Sequence, residues 1–364
     1  MITPAIRKNI SRIIPFGLVW LVFSTIYSLL EKGLLDDLDK YPATGNPYRF
    51  SSNILITPLV ALIAGLVIGT IEILYLNKLF IRRSFTKKIV YKTLLYLAMI
   101  IFFLFGLSVI ANCIELGTFI PNKQTWINAW SFFASFSFWS IEIYIGALIG
   151  VSLFYAEVSE NLGQPVLHNF LTGKYHTPVE EERIFMFLDM KSSTTIAEQI
   201  GHVRYFEMLK EYFADLSDPI IQYSGEIYQY VGDEIVVSWT LPHGLKNSNC
   251  IECFFSMKAA MTKQYDKYIK KFTYYPAFKA GFHVGKVTTG EIGVIKKEII
   301  FTGDVLNTTS RIQGLCNAYK TDLLISGELL KRLDPGPRFQ INALGDNELR
   351  GRDEKVTLYT MIAV

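Results

Sequence analysis

The chain has 364 residues, room for two or three domains, and a formal net charge of +3, too mild a surplus for a nucleic-acid-binding protein. Hydrophobic residues make up 50% of it, and their excess falls in the first 155 positions. That asymmetry excludes a uniformly globular chain and predicts a membrane half followed by a polar half.

Four segments are long and apolar enough to cross a bilayer as helices: 13–30, 54–76, 93–113 and about 128–155. Three spans follow the first, and no small-residue cleavage site closes it, so it reads as a span and not as a cleavable signal. Arg7, Lys8 and Arg12 precede it, and Lys78, Arg82, Arg83, Lys87, Lys88 and Lys92 fill the second connection without an acid. In the first connection, Glu31, Asp36, Asp37 and Asp39 dilute Lys32, Lys40 and Arg49. By the positive-inside rule both termini and the polar half lie in the cytoplasm of a multi-pass (inner) membrane protein.

Gly65 with Gly69, and Gly146 with Gly150, have the GxxxG spacing that lets membrane helices approach closely. Chance in glycine-tolerant spans explains them equally well. Glu142 falls near the middle of the fourth span, where an ionisable group faces a partner or cavity. Glu72, nearer the boundary, is placed to snorkel. Cys250 and Cys253 form one CxxC without a second pair or a nearby histidine, which reads as packing and not as a zinc site.

Apolar positions recur at three or four residues from Val151 to Phe170, continuing the fourth span as an amphipathic helix that Gly163 and Pro165 interrupt. A charged linker follows over 172–182. The chain thus divides into a four-span domain (1–155), an amphipathic helix and linker (156–182) and a polar domain (183–364). In the polar domain, strands are expected at 184–188, 227–231, 235–239, 277–284, 286–292, 298–301, 322–325, 339–343 and 356–362. Helices are expected at 194–200, 204–224, 247–271, 305–318 and 327–332. The order predicts an α+β, ferredoxin-like antiparallel sheet with helices on one face.

Two strand-like runs in this domain deliver an aspartate to a turn: Asp189 after IFMFL, and Asp233 in a Gly-Asp turn between IYQYV and IVVSW. Carboxylates at adjacent strand ends suit a hard divalent cation serving a polyphosphate. Taken singly, Asp189 is equally a helix cap and Asp233 good turn chemistry.

Four stretches in order, FLDMKSSTTIAEQIG (187–201), SGEIYQYVGDEIVVSW (224–239), GFHVGKVTTGEIG (281–293) and FTGDVLNTTSRIQ (301–313), resemble the catalytic domain of class III adenylate and guanylate cyclases, in a membrane-anchored bacterial form. The resemblance implies two Mg²⁺ or Mn²⁺ ions per site, held by Asp189, Asp233 and the Met190 carbonyl. It implies that Asn307 orients the ribose and that Arg311 stabilises charge at the α-phosphate. Leu349-Arg350-Gly351 matches a phosphate-gripping Leu-Lys-Gly, with Arg352 as the alternate to Arg350. The implied active form is a head-to-tail homodimer acting on a nucleoside triphosphate, with no nucleic acid as partner.

At the base-reading positions the chain departs from the family: Gln229, four residues before Asp233, and Ile300, three before Gly303, match neither the usual adenylate nor the usual guanylate pattern. A glutamine amide pairs with adenine, guanine or cytosine edges alike. Resemblance to a bacterial branch with a KKEII-F-GD stretch favours ATP. A guanylate or pyrimidine cyclase, and a catalytically weak nucleotide-binding sensor, are the alternatives. A transporter with a regulatory tail is disfavoured by four spans without an evident internal repeat.

Overall fold

The computed structural model describes residues 3–40, 48–80, 83–115, 117–118, 122–349 and 354–364. Its contacts separate two compact units, Ile6–His168 and Asn169–Val364.

Among the described residues, the elements of the first unit are helices. Its segments are α1 (Pro4–Leu35), then α2 (Phe50–Ile71), which passes through one π-helical turn (Glu72–Leu76) into α3 (Asn77–Leu79). After these come α4 (Phe85–Glu115), α5 (Lys123–Ala134) and α6 (Phe136–Leu162). Among the described residues, four helices are long and apolar enough to cross a membrane: Ile6–Leu35, Phe50–Leu76, Phe85–Ile114 and Phe136–Leu162. Such runs take helical form because a bilayer offers no partner for a free main-chain polar group.

The fourth span begins later than the expected residue 128. Ser135 is extended (φ −74°, ψ 145°) and its hydroxyl accepts the Phe138 N–H at 3.2 Å. It therefore caps α6 and leaves α5 as a separate helix, itself opened by an Asn122 capping box. The Gly65–Gly69 spacing is used within the unit, since a Cβ on Gly65 would stand 2.8 Å from the Phe16 carbonyl oxygen of α1. Gly146 lies against Leu97, whereas Gly150 faces open space.

Glu72 does not snorkel. It is buried, with Lys92 Nζ at 2.5 Å from one of its oxygens and the Tyr96 hydroxyl at 3.2 Å from the other. Lys92, fully buried, also donates to Glu157 of α6 at 3.2 Å, and Lys88 reaches Glu157 at 3.1 Å. One lysine thus joins three helices. Removing it leaves buried Glu72 without its ammonium partner and Glu157 with Lys88 alone, so Lys92→Met should destabilise the unit by about 3–5 kcal/mol. Thermal unfolding in detergent checks this, with Glu72→Gln in the same chain expected to recover part of the loss. Glu142 differs: it is buried, and neither carboxylate oxygen has a hydrogen-bond partner among the described residues.

α6 ends at Gly163 (φ +87°), and α7 (Gln164–Thr172) follows. In the second unit β1 (Val179–Met190) starts inside the stretch read as linker. It leads to α8 (Ser193–Ile200), α9 (His202–Gln222) and the hairpin β2 (Glu226–Val231) and β3 (Glu234–Thr240). Next come α10 (Leu241–Leu245), a 3₁₀ turn (Lys246–Ser248), α11 (Asn249–Lys263) and α12 (Tyr265–Phe272). The last third holds β4 (Phe278–Ile292), β5 (Glu298–Thr302), α13 (Asp304–Gly314), β6 (Leu323–Ser326), α14 (Gly327–Leu330), β7 (Phe339–Asn347) and β8 (Val356–Ala363).

The strands form one sheet in the order β2-β3-β1-β4-β6-β8-β7, with β5 paired to the far end of β4. The sheet is mixed, not antiparallel throughout, because β6 runs parallel to β4. Helices cover both faces, not one. From β1, Ile184, Met186, Leu188 and Met190 point into the core shared with Met208, Tyr212 and Leu216 of α9 and with Phe254 and Met257 of α11. The alternate residues Phe185 and Phe187 pack with Val305 of α13 on the other face. A strand buried on both sides needs the near-continuous apolar run that β1 has.

The strands expected at 277–284 and 286–292 are one, because β4 stays in register with β1 from Phe278 to Thr289. The helix expected at 247–271 is split at Gln264, and the one expected to reach residue 318 stops at Gly314. Cys250 and Cys253 are free and fully buried in the α9–α11 core.

Candidate active site

Asp189 is the penultimate residue of β1, paired with Lys279 across the ladder to β4. The β2–β3 hairpin turns at Gly232 (φ +63°) and Asp233, which returns Asp233 to the side of Asp189. Burial, and then the adjacent Asp233 carboxylate, hold the Asp189 carboxyl above its usual range. Lys279 Nζ at 3.5 Å and the Gln313 amide at 3.2 Å from Asp189 Oδ2 act the other way. The carboxyl of Glu234 is pushed up to about 7 by burial and by the charges of Asp189 and Asp233. Burial and Asp233 likewise push Tyr205 up to about 12. Negative charge thus gathers, half-buried, at the end of β1 and the β2–β3 turn.

Gln313 reaches Asp189 because α13 lies directly on β4. A Cβ on Gly281 would collide with the Gln313 main chain, so only glycine allows the approach. On α13, Val305, Thr308, Thr309, Ile312 and Gln313 are buried. Asn307 is exposed, and Arg311 is half-buried with its Nη1 lacking an acceptor among the described residues. No described hydrogen bond or ion pair joins Asn307 or Arg311 to Asp189 or Asp233. Within one chain the aspartates meet each other.

A bulge at Tyr228 interrupts β2 just before Gln229, which is exposed. Ile300 is half-buried and pairs with Gly290 of β4. Their neighbours link the two strands: the Tyr228 and Phe301 rings lie 4.7 Å apart, and the Phe301 N–H donates to the Tyr228 hydroxyl at 3.3 Å. Buried Arg183 stacks over Phe301 at 4.8 Å and pairs with Glu226 of β2. Arg350 and Arg352 lie outside the described residues; Leu349, just before them, is buried with Ile312 and Cys316.

The donor set suits a hard divalent cation. Two carboxylates are drawn together, and Asp233 Oδ2 is buried with no hydrogen-bond partner among the described residues. The Met190 side chain is committed to the core, which leaves its carbonyl as that residue's only contribution. Among the described residues no group of three or more His, Cys, Asp or Glu is placed to hold a metal ion. Mg²⁺ ordinarily takes one or two protein carboxylates and fills its octahedron with water and substrate phosphates.

Lys279, Gln313 and Glu234 escaped the sequence reading. Only Glu234, next in sequence to Asp233, carried a visible signal. Lys279 and Gln313 owe their places to a strand register and a helix–sheet contact that spacing alone does not disclose.

The profile of the Adenylate and Guanylate cyclase catalytic domain matches residues 177–363. The chain belongs to that family, and its second unit is a class III nucleotide cyclase catalytic domain joined to a unit with four membrane-length helices. It is 36% identical over 224 residues to Adenylate cyclase 2 of Rhizobium meliloti (strain 1021), covering 62% of this chain and 62% of that protein. It is 26% identical over 188 residues to Adenylate cyclase 1 of the same organism, covering 50% of this chain and 28% of that protein. The chain thus spans less than two thirds of either relative. Among solved structures, a bacterial light-regulated adenylyl cyclase shares the fold, with a TM-score of 0.52 at 17% identity over 62% of this chain and 65% of that one.

Proposed function

We propose that the protein is a membrane-anchored adenylate cyclase that converts ATP to 3′,5′-cyclic AMP and pyrophosphate in a head-to-tail homodimer, its catalytic unit and both termini in the cytoplasm. The observation that carries this reading is the pairing of Asp189 with Asp233 at adjacent strand ends, with no described hydrogen bond or ion pair reaching either from Asn307 or Arg311. On this reading each site joins the two aspartates of one copy to the Asn307–Arg311 pair of a second.

In the reaction the ribose O3′ attacks the α-phosphorus, the bond from that phosphorus to the α–β bridging oxygen breaks, and the O3′ proton is lost. Asp189, Asp233 and the Met190 carbonyl would hold two Mg²⁺ or Mn²⁺ ions. When bound, these ions supply the charge that acidifies the 3′-hydroxyl and neutralises the triphosphate. Asn307 orients the ribose. Arg311 Nη1 gains its missing acceptor in the α-phosphate oxygens as negative charge builds there. Arg350 or Arg352 grips the terminal phosphates.

Gln229 is the one polar side chain available at the base edge, Ile300 contributing shape alone. Gln229→Ala should therefore raise the KM for the preferred nucleotide about tenfold, the loss of a base contact that leaves its partners unpaired. The deciding experiment offers the purified chain ATP, GTP, CTP and UTP with Mg²⁺ or Mn²⁺ and identifies the products. A preference for GTP or a pyrimidine would overturn the adenylate reading and keep the cyclase one. No cyclic product from any of the four would overturn both. The resemblance of this chain to Adenylate cyclase 2 of Rhizobium meliloti supports ATP.

A further inference from the structure

Beside Asp189, at the end of the sheet where β1 stops and β4 and β6 begin, lies a cavity of about 340 Å³. Its walls are Lys191 and Ser192 after β1, Lys279 of β4, and Cys316, Asn317, Lys320 and Thr321 between α13 and β6. Three lysines and no acid line it. Lys191 is shared with Lys258 on a single carboxylate, Asp322. Lys279 Nζ stands between Asp189 Oδ2 at 3.5 Å and the Asn317 side-chain oxygen at 3.2 Å. Lys320, exposed at the rim, has no carboxylate partner among the described residues.

The balance is one-sided. Three ammonium groups (Lys191, Lys279 and Lys320) line the space, and two carboxylates (Asp189 and Asp322) answer them from outside it, Asp322 being shared with Lys258. Asn317 spends its oxygen on Lys279, so what it can still offer a ligand is its amide N–H groups. A concave space rich in donors and poor in acceptors selects an anion with several oxygens.

We propose that this cavity is a binding site for a phosphate-class oxyanion, held by Lys279, Lys320 and Asn317. The site rests on geometry and charge alone. The identity of its natural occupant, the pyrophosphate expelled at the neighbouring aspartates, rests on the cyclase reading above.

The test uses the full chain in detergent micelles with EDTA and without nucleotide, so that no anion is carried in by a divalent ion. Pyrophosphate, orthophosphate and bicarbonate are titrated separately, and binding is followed by calorimetry and, for the phosphates, by ³¹P line width. Saturable pyrophosphate binding is expected, weakened about tenfold in Lys320→Gln, the cost of one charge-assisted hydrogen bond. Tighter pyrophosphate than orthophosphate marks the reaction product as occupant; equal affinities mark free phosphate, and the site stands either way. Absence of saturable phosphate binding, bicarbonate binding alone, or equal affinity in wild type and Lys320→Gln overturns the site. The nucleotide assay separates the two claims. Lys320-dependent binding in a chain that forms no cyclic nucleotide would leave the site and remove the cyclase reading, whereas cyclisation without phosphate binding would do the reverse.

Discussion

Asp233→Asn and Asp189→Asn should each lower cyclisation by at least about a thousandfold, roughly 4 kcal/mol of transition-state stabilisation. The same changes should leave the metal-free fold intact or firmer. Both aspartates sit half-buried against each other, and burial together with like charge works against keeping both ionised. An amide removes one of the repelling charges and almost none of the volume. A purely structural aspartate, acting as a helix cap or turn residue, would show the opposite pattern, losing about 1 kcal/mol of stability with activity largely retained. Thermal unfolding in EDTA, run beside the cyclase assay, distinguishes the two. An Asp233→Asn protein that melts earlier and still cyclises at the wild-type rate would sink the assignment of the site.

What was readable in the sequence, and what was not, follows from the range of each interaction. The membrane helices were legible because hydrophobic length is a local property, yet the break at Ser135 was not, since one hydroxyl cap decided it within an apolar run. Asp189 and Asp233 stood out because a strand followed by a turn is written in consecutive residues. The parallel β4–β6 pair and the placement of α13 on the second face depend on which strands become neighbours, a choice made by contacts far apart in sequence. Gly281 shows the difference well: its need for glycine comes from Gln313, a residue on another element. Glu72 was misread for the same reason, its partners Lys92 and Tyr96 lying on the next membrane helix.

Mixing Asp189→Ala chains with Arg311→Ala chains should restore activity that neither has alone. In one chain Gln313 of α13 turns inward to Asp189 while Arg311, two positions earlier, leaves its Nη1 without an acceptor among the described residues. Residues two apart on a helix point nearly opposite ways, so Gln313 and Arg311 leave α13 in different directions. In a two-fold dimer each site would take its aspartates from one copy and its Asn307–Arg311 pair from the other. A mixed dimer then holds one site with both defects and one with none. Random pairing of equal amounts makes half of the dimers mixed, so about one quarter of the wild-type activity per chain is expected. Each variant alone should fall at least about a hundredfold, the scale of losing one transition-state donor. Differently tagged chains, co-expressed and purified through both tags, isolate the mixed dimer. There the expected activity rises to about half of wild type, because every such dimer has one intact site. A doubly tagged dimer as inactive as its parents would mean that Arg311 acts within its own chain, and the composite site would have to be abandoned.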